Sequence, residues 1–306
     1  MLQVGYLQTI FKRSNGGIVP IGWKYEKIGI FSNQNLILNC NPGNNPEMLK
    51  FIQLTDLHII ADKKGSIYGM NPWCTLNKVA KQLSGIRDID CIIITGDMAD
   101  SGEYEAYLHI NEVFSNIEFP IFWLQGNHDF SEVMLQVKNR IKIRSDKSFI
   151  IKDTKFILLQ TVIIDDDDFT KNNAKGFLFW HEMSFLKREL DENNFRHAVI
   201  ALHHPPVLSN SWADEKRILD NRDEFISLIG NYPKVKVVLY GHQHIAQHTI
   251  IDNIHYISAP AASFQYNPRG ERFSLLLDKQ GFSVIRIDEQ EEVTLENVFV
   301  NLGYVK

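Results

Sequence analysis

From Met48 onward, short apolar runs alternate with segments of helical periodicity, a pattern that predicts an α/β fold. Several runs are rich in Ile or Val and nearly continuous, as expected of strands buried on both faces of a sheet. They cover residues 51–54, 91–94, 121–124, 156–159, 198–202 and 235–240. Leu76, Val79, Ala80 and Leu83 share one helix face, and further helices are predicted over 103–115, 131–139, 181–191 and 222–229.

The last part of the chain has a different pattern, which predicts antiparallel strands. Runs 248–251 and 254–258 flank Asp252-Asn253, a hairpin signal. Runs 273–277 and 282–287 are predicted to pair around a turn that contains Gly281. The sequence therefore predicts an α/β fold whose second half is antiparallel.

Residues 1–47 differ from the rest, being rich in Asn and Gly and ending in the breaker cluster Asn41-Pro42-Gly43-Asn44-Asn45-Pro46. Runs 28–31 and 36–38 could form a short hairpin. We predict that 1–47 is an N-terminal appendage, or an over-long reading-frame start, and that the main domain covers 48–306.

Net charge and cysteine content restrict the possible binding partners and the cellular compartment. With 32 Lys plus Arg against 37 Asp plus Glu, the net charge of −5 argues against a nucleic-acid partner, which would require a basic face. Three cysteines form neither a disulfide framework nor a CxxC pair, so a reducing, cytoplasmic setting is expected. No apolar run approaches the roughly 20 residues of a membrane span.

Residue types that bind metals follow the apolar runs, one set after each of several predicted strands. Because ligands of α/β sheets bind at the carboxyl ends of strands, we expect these side chains to meet at one edge. Each set is weak evidence alone, since a lone Asp or His at a strand end is usually structural. The sets are Asp56 and His58, then Asp97 and Asp100, then Asn127, His128 and Asp129, then His203 and His204, and finally His242 and His244.

Carboxylates and imidazoles in this number suit two borderline metal ions, such as Fe, Mn, Zn or Co. Two divalent cations roughly 3.5–4 Å apart can clamp the attacking and leaving oxygens of a phosphate. Holding them so close requires an anionic group between them, and a carboxylate can bridge.

The motifs Asp56-x-His58, Gly96-Asp97-x-x-Asp100, Gly126-Asn127-His128-Asp129, His203 and Gly241-His242-x-His244 together resemble the signature of calcineurin-like metallophosphoesterases. The resemblance implies a sandwich of two mixed β-sheets packed together and flanked by helices. It also implies one metal held by Asp56, His58, Asp97 and His244, and a second held by Asp97, Asn127, His203 and His242. His204, beside His203, is the alternative ligand and is otherwise expected to contact substrate.

The same resemblance implies catalytic roles for two further residues. His128 is expected to stabilise the phosphoryl oxygens or to protonate the leaving group, while a hydroxide shared by the metals attacks phosphorus. Asp100 is expected to orient His128. His58, Asn127 and His128 are also expected to contact the substrate.

Within that superfamily the chain looks most like bacterial class III cyclic-nucleotide phosphodiesterases. The segments 69–73, 123–130, 203–206, 211–212 and 259–268 carry this likeness. It implies hydrolysis of 3′,5′-cyclic AMP to 5′-AMP, with Asn71 in contact with the substrate and Trp73, Trp212 and Phe264 as candidates to stack on a base. The alternative substrates are another phosphodiester or a phosphomonoester, such as a glycerophosphodiester or a lipid A precursor. The alternative function is a metal-site scaffold without turnover. The antiparallel hairpins could carry a homodimer contact.

Overall fold

The computed structural model describes residues 6–14, 17–26, 37–38, 48–164, 172–209, 217–267, 274–276 and 279–300. The chain divides into two compact units, Met1–Leu36 and Ile37–Lys306. Among the described residues, no helix is long and apolar enough to cross a bilayer.

The first unit contains an antiparallel hairpin. Strands β1 (Tyr6–Ser14) and β2 (Gly17–Glu26) pair with a bulge between Ile10 and Phe11. The loop of the hairpin predicted between runs 28–31 and 36–38 lies outside the described residues. Run 28–31 lies outside them as well, so this hairpin stays a prediction. Residues 37–38 of the second run form β3 (Ile37–Leu38), which pairs in parallel with β7 (Ser148–Ile151). The predicted domain boundary at residue 47 stays a prediction.

Two mixed sheets form the second unit. The five-stranded sheet has the order β18-β17-β4-β5-β6. Its parallel strands are β4 (Leu49–Leu54), β5 (Cys91–Ile94) and β6 (Ile121–Trp123). Strand β17 (Gly281–Ile287) runs antiparallel to β4 and to β18 (Val293–Phe299).

The seven-stranded sheet has the order β13-β14-β12-β11-β8-β7-β3. Strands β8 (Thr154–Leu158), β11 (His197–Ala201), β12 (Val235–Tyr240) and β14 (Ile254–Ser258) are parallel neighbours. Strand β13 (Gln247–Ile251) is antiparallel to β14, and β7 is antiparallel to β8. Two small antiparallel pairs are β9 (Val162–Ile164) with β10 (Asn172–Gly176), and β15 (Gln265–Tyr266) with β16 (Leu275–Leu276).

Helices cover the outer face of each sheet. Helices α1 (Pro72–Leu83), α2 (Tyr104–Val113) and α3 (Ser131–Val137) pack against the five-stranded sheet. Helices α4 (Trp180–Asp191) and α5 (Arg222–Ile229) pack against the seven-stranded sheet. A third apolar cluster lies between the two sheets. This confirms the predicted α/β sandwich of two mixed sheets flanked by helices.

The C-terminal strands confirm one predicted hairpin and correct the other. Strands β13 and β14 pair across Asp252 and Asn253, whose φ angles of 50° and 62° are those of the twisted turn expected there. The predicted pairing of 273–277 with 282–287 is wrong, because β16 pairs with β15, and β17 pairs with β4 and β18. The local pattern of apolar residues did not reveal that β17 belongs to the five-stranded sheet.

Aromatic rings fill the centre of the layer between the sheets. Phe149 stacks on Phe122 of the opposite sheet with ring centroids 3.5 Å apart, and on Phe156 at 5.1 Å. Phe51 meets Phe156 edge-on at 5.3 Å. Since all four rings are buried, this cluster joins the two sheets whose edges carry the polar motifs.

We predict that Phe149→Ala lowers the free energy of unfolding by about 3–5 kcal/mol, because it removes a buried ring in contact with both sheets. Leu135→Ala is the control, since Leu135 lies on α3 with 69% of its surface exposed and should change stability by less than about 0.5 kcal/mol. Urea denaturation measures both. Equal effects of the two substitutions would contradict this account of the core.

Candidate metal centre

The residues predicted as metal ligands all lie at the carboxyl ends of strands, where the edges of the two sheets meet. Asp56 and His58 follow β4, Asp97 follows β5, and Asn127 follows β6. From the other sheet, His203 follows β11, and His242 and His244 follow β12. Folding therefore gathers side chains that are scattered over nearly 190 residues of sequence, as the 186-residue separation of His58 and His244 illustrates.

The first group consists of Asp56, His58, Asp97 and His244, which are all buried and offer ligand atoms within 4.8 Å of one another. His58 Nε2 lies 3.0 Å from His244 Nε2 and 3.6 Å from Asp97 Oδ2. His244 Nε2 lies 3.3 Å from Asp56 Oδ1. Nitrogen and carboxylate donors facing one common point fit a borderline cation.

The second group surrounds His203 Nε2. This nitrogen lies 3.3 Å from Asp97 Oδ2, 3.1 Å from Asn127 Oδ1 and 3.1 Å from His242 Nδ1. Asp97 thus contacts both groups, as required of a bridging carboxylate.

The second nitrogen of each of these imidazoles contacts a fixed acceptor. His58 Nδ1 lies 2.9 Å from Asp100 Oδ1. His203 Nδ1, His244 Nδ1 and His242 Nε2 contact the backbone carbonyls of Thr95, Phe264 and Ala174 at 2.7–2.8 Å. An imidazole that donates one N–H in this way presents the lone pair of its other nitrogen to the centre, which is how proteins orient metal-binding histidines. The donor set therefore fits the metal ions that the sequence predicts.

Electrostatics in the centre are dominated by Asp97 and His203. Burial alone would raise the pKa of Asp97, but the charges of His203 and His128 hold it well below its usual range. Burial would lower the pKa of His203, but the charge and hydrogen bond of Asp97 raise it to about 9. Burial and neighbouring histidines hold the pKa of His242 well below 6.5. The centre is thus a buried place where positive charge is stabilised beside a carboxylate.

His204 occupies a different position from His203. Its Nδ1 lies 2.7 Å from Thr161 Oγ1, and its ring centroid lies 4.6 Å from that of His242. It could complete a group with His203 and His242. However, the contacts with Asp97 and Asn127 belong to His203, so the geometry favours His203 as the ligand. The substrate contact of His204 stays a prediction.

His128 and Asp100 lie together beside the first group, but their contacts differ from the expected ones. His128 Nδ1 bonds to the backbone carbonyl of Asp100 at 2.6 Å, while the two side chains are 3.9 Å apart. The closer partner of the Asp100 carboxylate is His58. Asp100 therefore contacts His128 through its main chain and orients His58 through its side chain.

Asn71, predicted to contact substrate, is engaged elsewhere. Its Oδ1 accepts from Cys74 N at 2.7 Å, which caps α1, and its Nδ2 donates to the carbonyls of Lys63 and Gly65 at 2.8 Å. With oxygen and nitrogen both committed to the backbone, the side chain has a structural role that explains its presence. The expected substrate contact of Asn71 stays a prediction.

Asp129 has an organising role that the sequence interpretation left unassigned, although the residue lies within the Gly126-Asn127-His128-Asp129 motif. Its carboxylate accepts bonds from the backbone N–H groups of Met98, Ala99 and Gly126 and from the Tyr107 hydroxyl, at 2.8–3.3 Å. Burial and the charge of Asp97 raise its pKa to about 6. One carboxylate thus ties together the loops that follow β5 and β6.

Arg217 was also missed, because nothing in the local sequence marks it. Its guanidinium carbon lies 4.7 Å from the ring centroid of Tyr266, and that ring stacks on His244 at 4.7 Å. Its charge is also among those that lower the pKa of His242. The structure therefore places a cation beside the centre, where an anionic ligand would be attracted.

Close packing of the loops holds the shared carboxylate in place. A Cβ atom added at Gly126 would lie 2.1 Å from Asp97 Oδ1 and 2.3 Å from Asp97 N. Real Cβ atoms do not approach so closely, so the absence of a side chain at Gly126 is required by the position of Asp97.

We predict that Gly126→Ala displaces Asp97 and lowers the affinity for Mn²⁺ at least 10-fold, measured by isothermal titration calorimetry. Gly85→Ala is the matched control, since its added Cβ would meet its nearest neighbour, the carbonyl oxygen of Gln82, at an ordinary 3.4 Å. Unchanged Mn²⁺ binding by Gly126→Ala in a folded protein would show that the position of Asp97 does not govern the centre.

The sequence profile of the calcineurin-like phosphoesterase family matches residues 49–246, which include the whole centre. A 3′,5′-cyclic-nucleotide phosphodiesterase of Nostoc sp. is 29% identical over 240 residues, covering 78% of this chain and 88% of the relative. The 3′,5′-cyclic adenosine monophosphate phosphodiesterase CpdA of Escherichia coli (strain K12) is 28% identical, covering 81% and 88%. The enzyme of the same name from Haemophilus influenzae is 26% identical, covering 81% and 89%.

Solved structures share the fold. A dimetal phosphatase from Danio rerio superposes with a TM-score of 0.58 at 13% identity, covering 81% of this chain and 98% of the other. A purple acid phosphatase from yellow lupin gives a TM-score of 0.58 at 15% identity, covering 85% and 52%. On the profile match, the motifs and the gathered donors, this chain belongs to the calcineurin-like phosphoesterase family and is a metal-dependent phosphoester hydrolase.

Proposed function

We propose that this protein hydrolyses 3′,5′-cyclic AMP to 5′-AMP at a centre of two metal ions. The observation that carries the proposal is the position of Asp97 between two groups of nitrogen and oxygen donors. The choice of cyclic AMP as the substrate rests on the relatives, which are named as cyclic-nucleotide phosphodiesterases and align over about four fifths of this chain.

Asp56, His58, Asp97 and His244 would hold one ion, and Asp97, Asn127, His203 and His242 the other. When bound, such ions supply Lewis acidity toward the phosphate oxygens and lower the pKa of water. The native ions are proposed to be drawn from Fe, Mn, Zn and Co, because these suit mixed imidazole and carboxylate ligands.

His128 is proposed to supply the proton that the leaving oxygen needs. Its Nδ1 is engaged by the carbonyl of Asp100, and within the described part of the chain no hydrogen bond engages Nε2. Burial would lower the pKa of His128, but the charges of Asp97 and Asp100 and the carbonyl bond raise it above 6.5. A proton on Nε2 can then pass to the 3′ oxygen as the bond from that oxygen to phosphorus breaks. A water oxygen bonds to phosphorus, and the proton that this water loses goes to solvent.

The substrate is tested by incubating Mn²⁺-loaded protein with cyclic AMP, cyclic GMP, glycerophosphocholine, an aryl phosphodiester and an aryl phosphomonoester. We predict 5′-AMP as the product of cyclic AMP, identified by chromatography, and slower turnover of the monoester. Asp97→Asn should lose activity on every substrate. Rapid hydrolysis of the monoester with cyclic AMP left intact would contradict the proposed substrate, and no turnover of any ester would favour a binding scaffold.

His128→Ala should lower kcat for cyclic AMP by about 10²–10⁴-fold, because it removes the proton donor. Mn²⁺ binding should survive, since His128 is not among the proposed ligands. The matched control is His181→Ala, which removes a histidine that is 52% exposed on α4 and should leave kcat unchanged. Parental kcat in a metal-loaded His128→Ala protein would overturn the role.

A further inference from the structure

An exposed aromatic ring lies at the rim of the metal centre. Tyr68 is 59% exposed, and its ring meets that of Phe264 edge-on at a centroid distance of 5.2 Å. Phe264 is buried, and its ring lies 4.5 Å from that of His244 and 5.3 Å from that of His58. Tyr68 is therefore separated from two proposed metal ligands by a single aromatic ring.

The backbone presents Tyr68 from a tight turn. Ile67 and Met70 exchange both backbone hydrogen bonds, at 2.8 and 2.9 Å, with Tyr68 and Gly69 between them. Their φ angles of 50° and 80° are those of the two-residue turn that favours Asn-Gly. A bulky residue with φ above zero is rare and strained. Because Asn would form this turn more easily, the stability of the turn alone does not explain the tyrosine, and its side chain is a candidate for a functional contact.

The other described aromatic candidates are less suited to contact a ligand. Trp73 packs beneath Lys63 Nζ at 4.1 Å and against His109 at 5.5 Å. Phe264 and Tyr266 are buried. Trp212, the remaining aromatic that the sequence suggested, lies outside the described residues. Of these described Phe, Tyr and Trp rings, Tyr68 is the exposed one.

The surroundings of Tyr68 suit an anionic ligand. Tyr266 lies close enough for its pKa to be raised in part by Tyr68, and Arg217 lies over the ring of Tyr266. A phosphate held at the metal centre of a cyclic nucleotide leaves its base one ribose away, on the rim rather than among the buried ligands. Aromatic side chains stack on base faces in many nucleic-acid-binding proteins.

We propose that Tyr68 is the platform on which the base of a cyclic nucleotide stacks, so that it determines specificity for nucleotides over other phosphodiesters. This inference rests on the proposed cyclic-nucleotide phosphodiesterase function. It assigns to Tyr68 a contact that the sequence had suggested for Trp73, Trp212 or Phe264.

The test compares cyclic AMP with ribose 3′,5′-cyclic phosphate, which has the same reacting group and no base. Tyr68→Asn should lower kcat/KM for cyclic AMP roughly 10-fold or more, mainly through KM, because stacking on one base is lost. The base-free substrate should be hydrolysed as by the parent. Since Asn is favoured in this turn, the melting temperature should stay equal or rise, whereas a merely structural tyrosine would give a fall.

Two further variants complete the experiment. Tyr68→Phe keeps the ring and should retain cyclic AMP hydrolysis within about 2-fold, because stacking needs only the aromatic face. Trp180→Ala removes an aromatic that is 79% exposed on α4 and should leave both substrates unaffected.

Equal losses on both substrates, or no loss on cyclic AMP, would overturn the stacking role while leaving the phosphodiesterase proposal intact. A parent protein that hydrolyses other esters but forms no 5′-AMP would overturn both proposals. Assaying the parent protein therefore distinguishes an error in the proposed function from an error in the proposed stacking role of Tyr68.

Discussion

The buried carboxylate of Asp97 faces imidazole nitrogens on both sides, at 3.6 Å from His58 Nε2 and 3.3 Å from His203 Nε2. A carboxylate buried without a cationic partner would be costly, so this arrangement is stable because positive charge is available around it. His58 comes from the loop after β4 and His203 from the loop after β11, in different sheets. The centre therefore depends on the aromatic layer that fixes the two sheets against each other.

Assembling these donors requires strained backbone. Asp56, His58, Asp97, His242 and His244 all have φ between 45° and 73°, a region that residues other than glycine rarely adopt. Such strain costs on the order of 1–3 kcal/mol per residue and persists only where surrounding contacts fix the conformation. Bonds from His58 N to Asp97 O at 3.0 Å and from Asp56 N to Gly96 O at 3.1 Å supply part of that restraint. These residues with positive φ are concentrated at one edge of the sheets. This indicates that the loops sacrifice stability in order to position the proposed metal-binding side chains.

Much of the fold and of the donor set could be predicted from the sequence, because both follow from local patterns. Apolar runs identified the strands now labelled β4, β5, β6, β8, β11 and β12, and a polar residue directly after a buried parallel strand must lie at its carboxyl edge. What could not be predicted depends on contacts between distant segments. The acceptors that orient His242 and His244 are the main-chain carbonyls of Ala174 and Phe264, for which no side chain gives a signal. The pairing of β17 and the position of Arg217 are hidden for the same reason.

Anomalous diffraction from crystals grown with Mn²⁺ tests the central claim most directly. The account predicts two peaks roughly 3.5–4 Å apart, with Asp97 between them, one beside His58 and His244 and the other beside His203 and His242. An ordered site without manganese density, or with these side chains turned away from the ions, would contradict it.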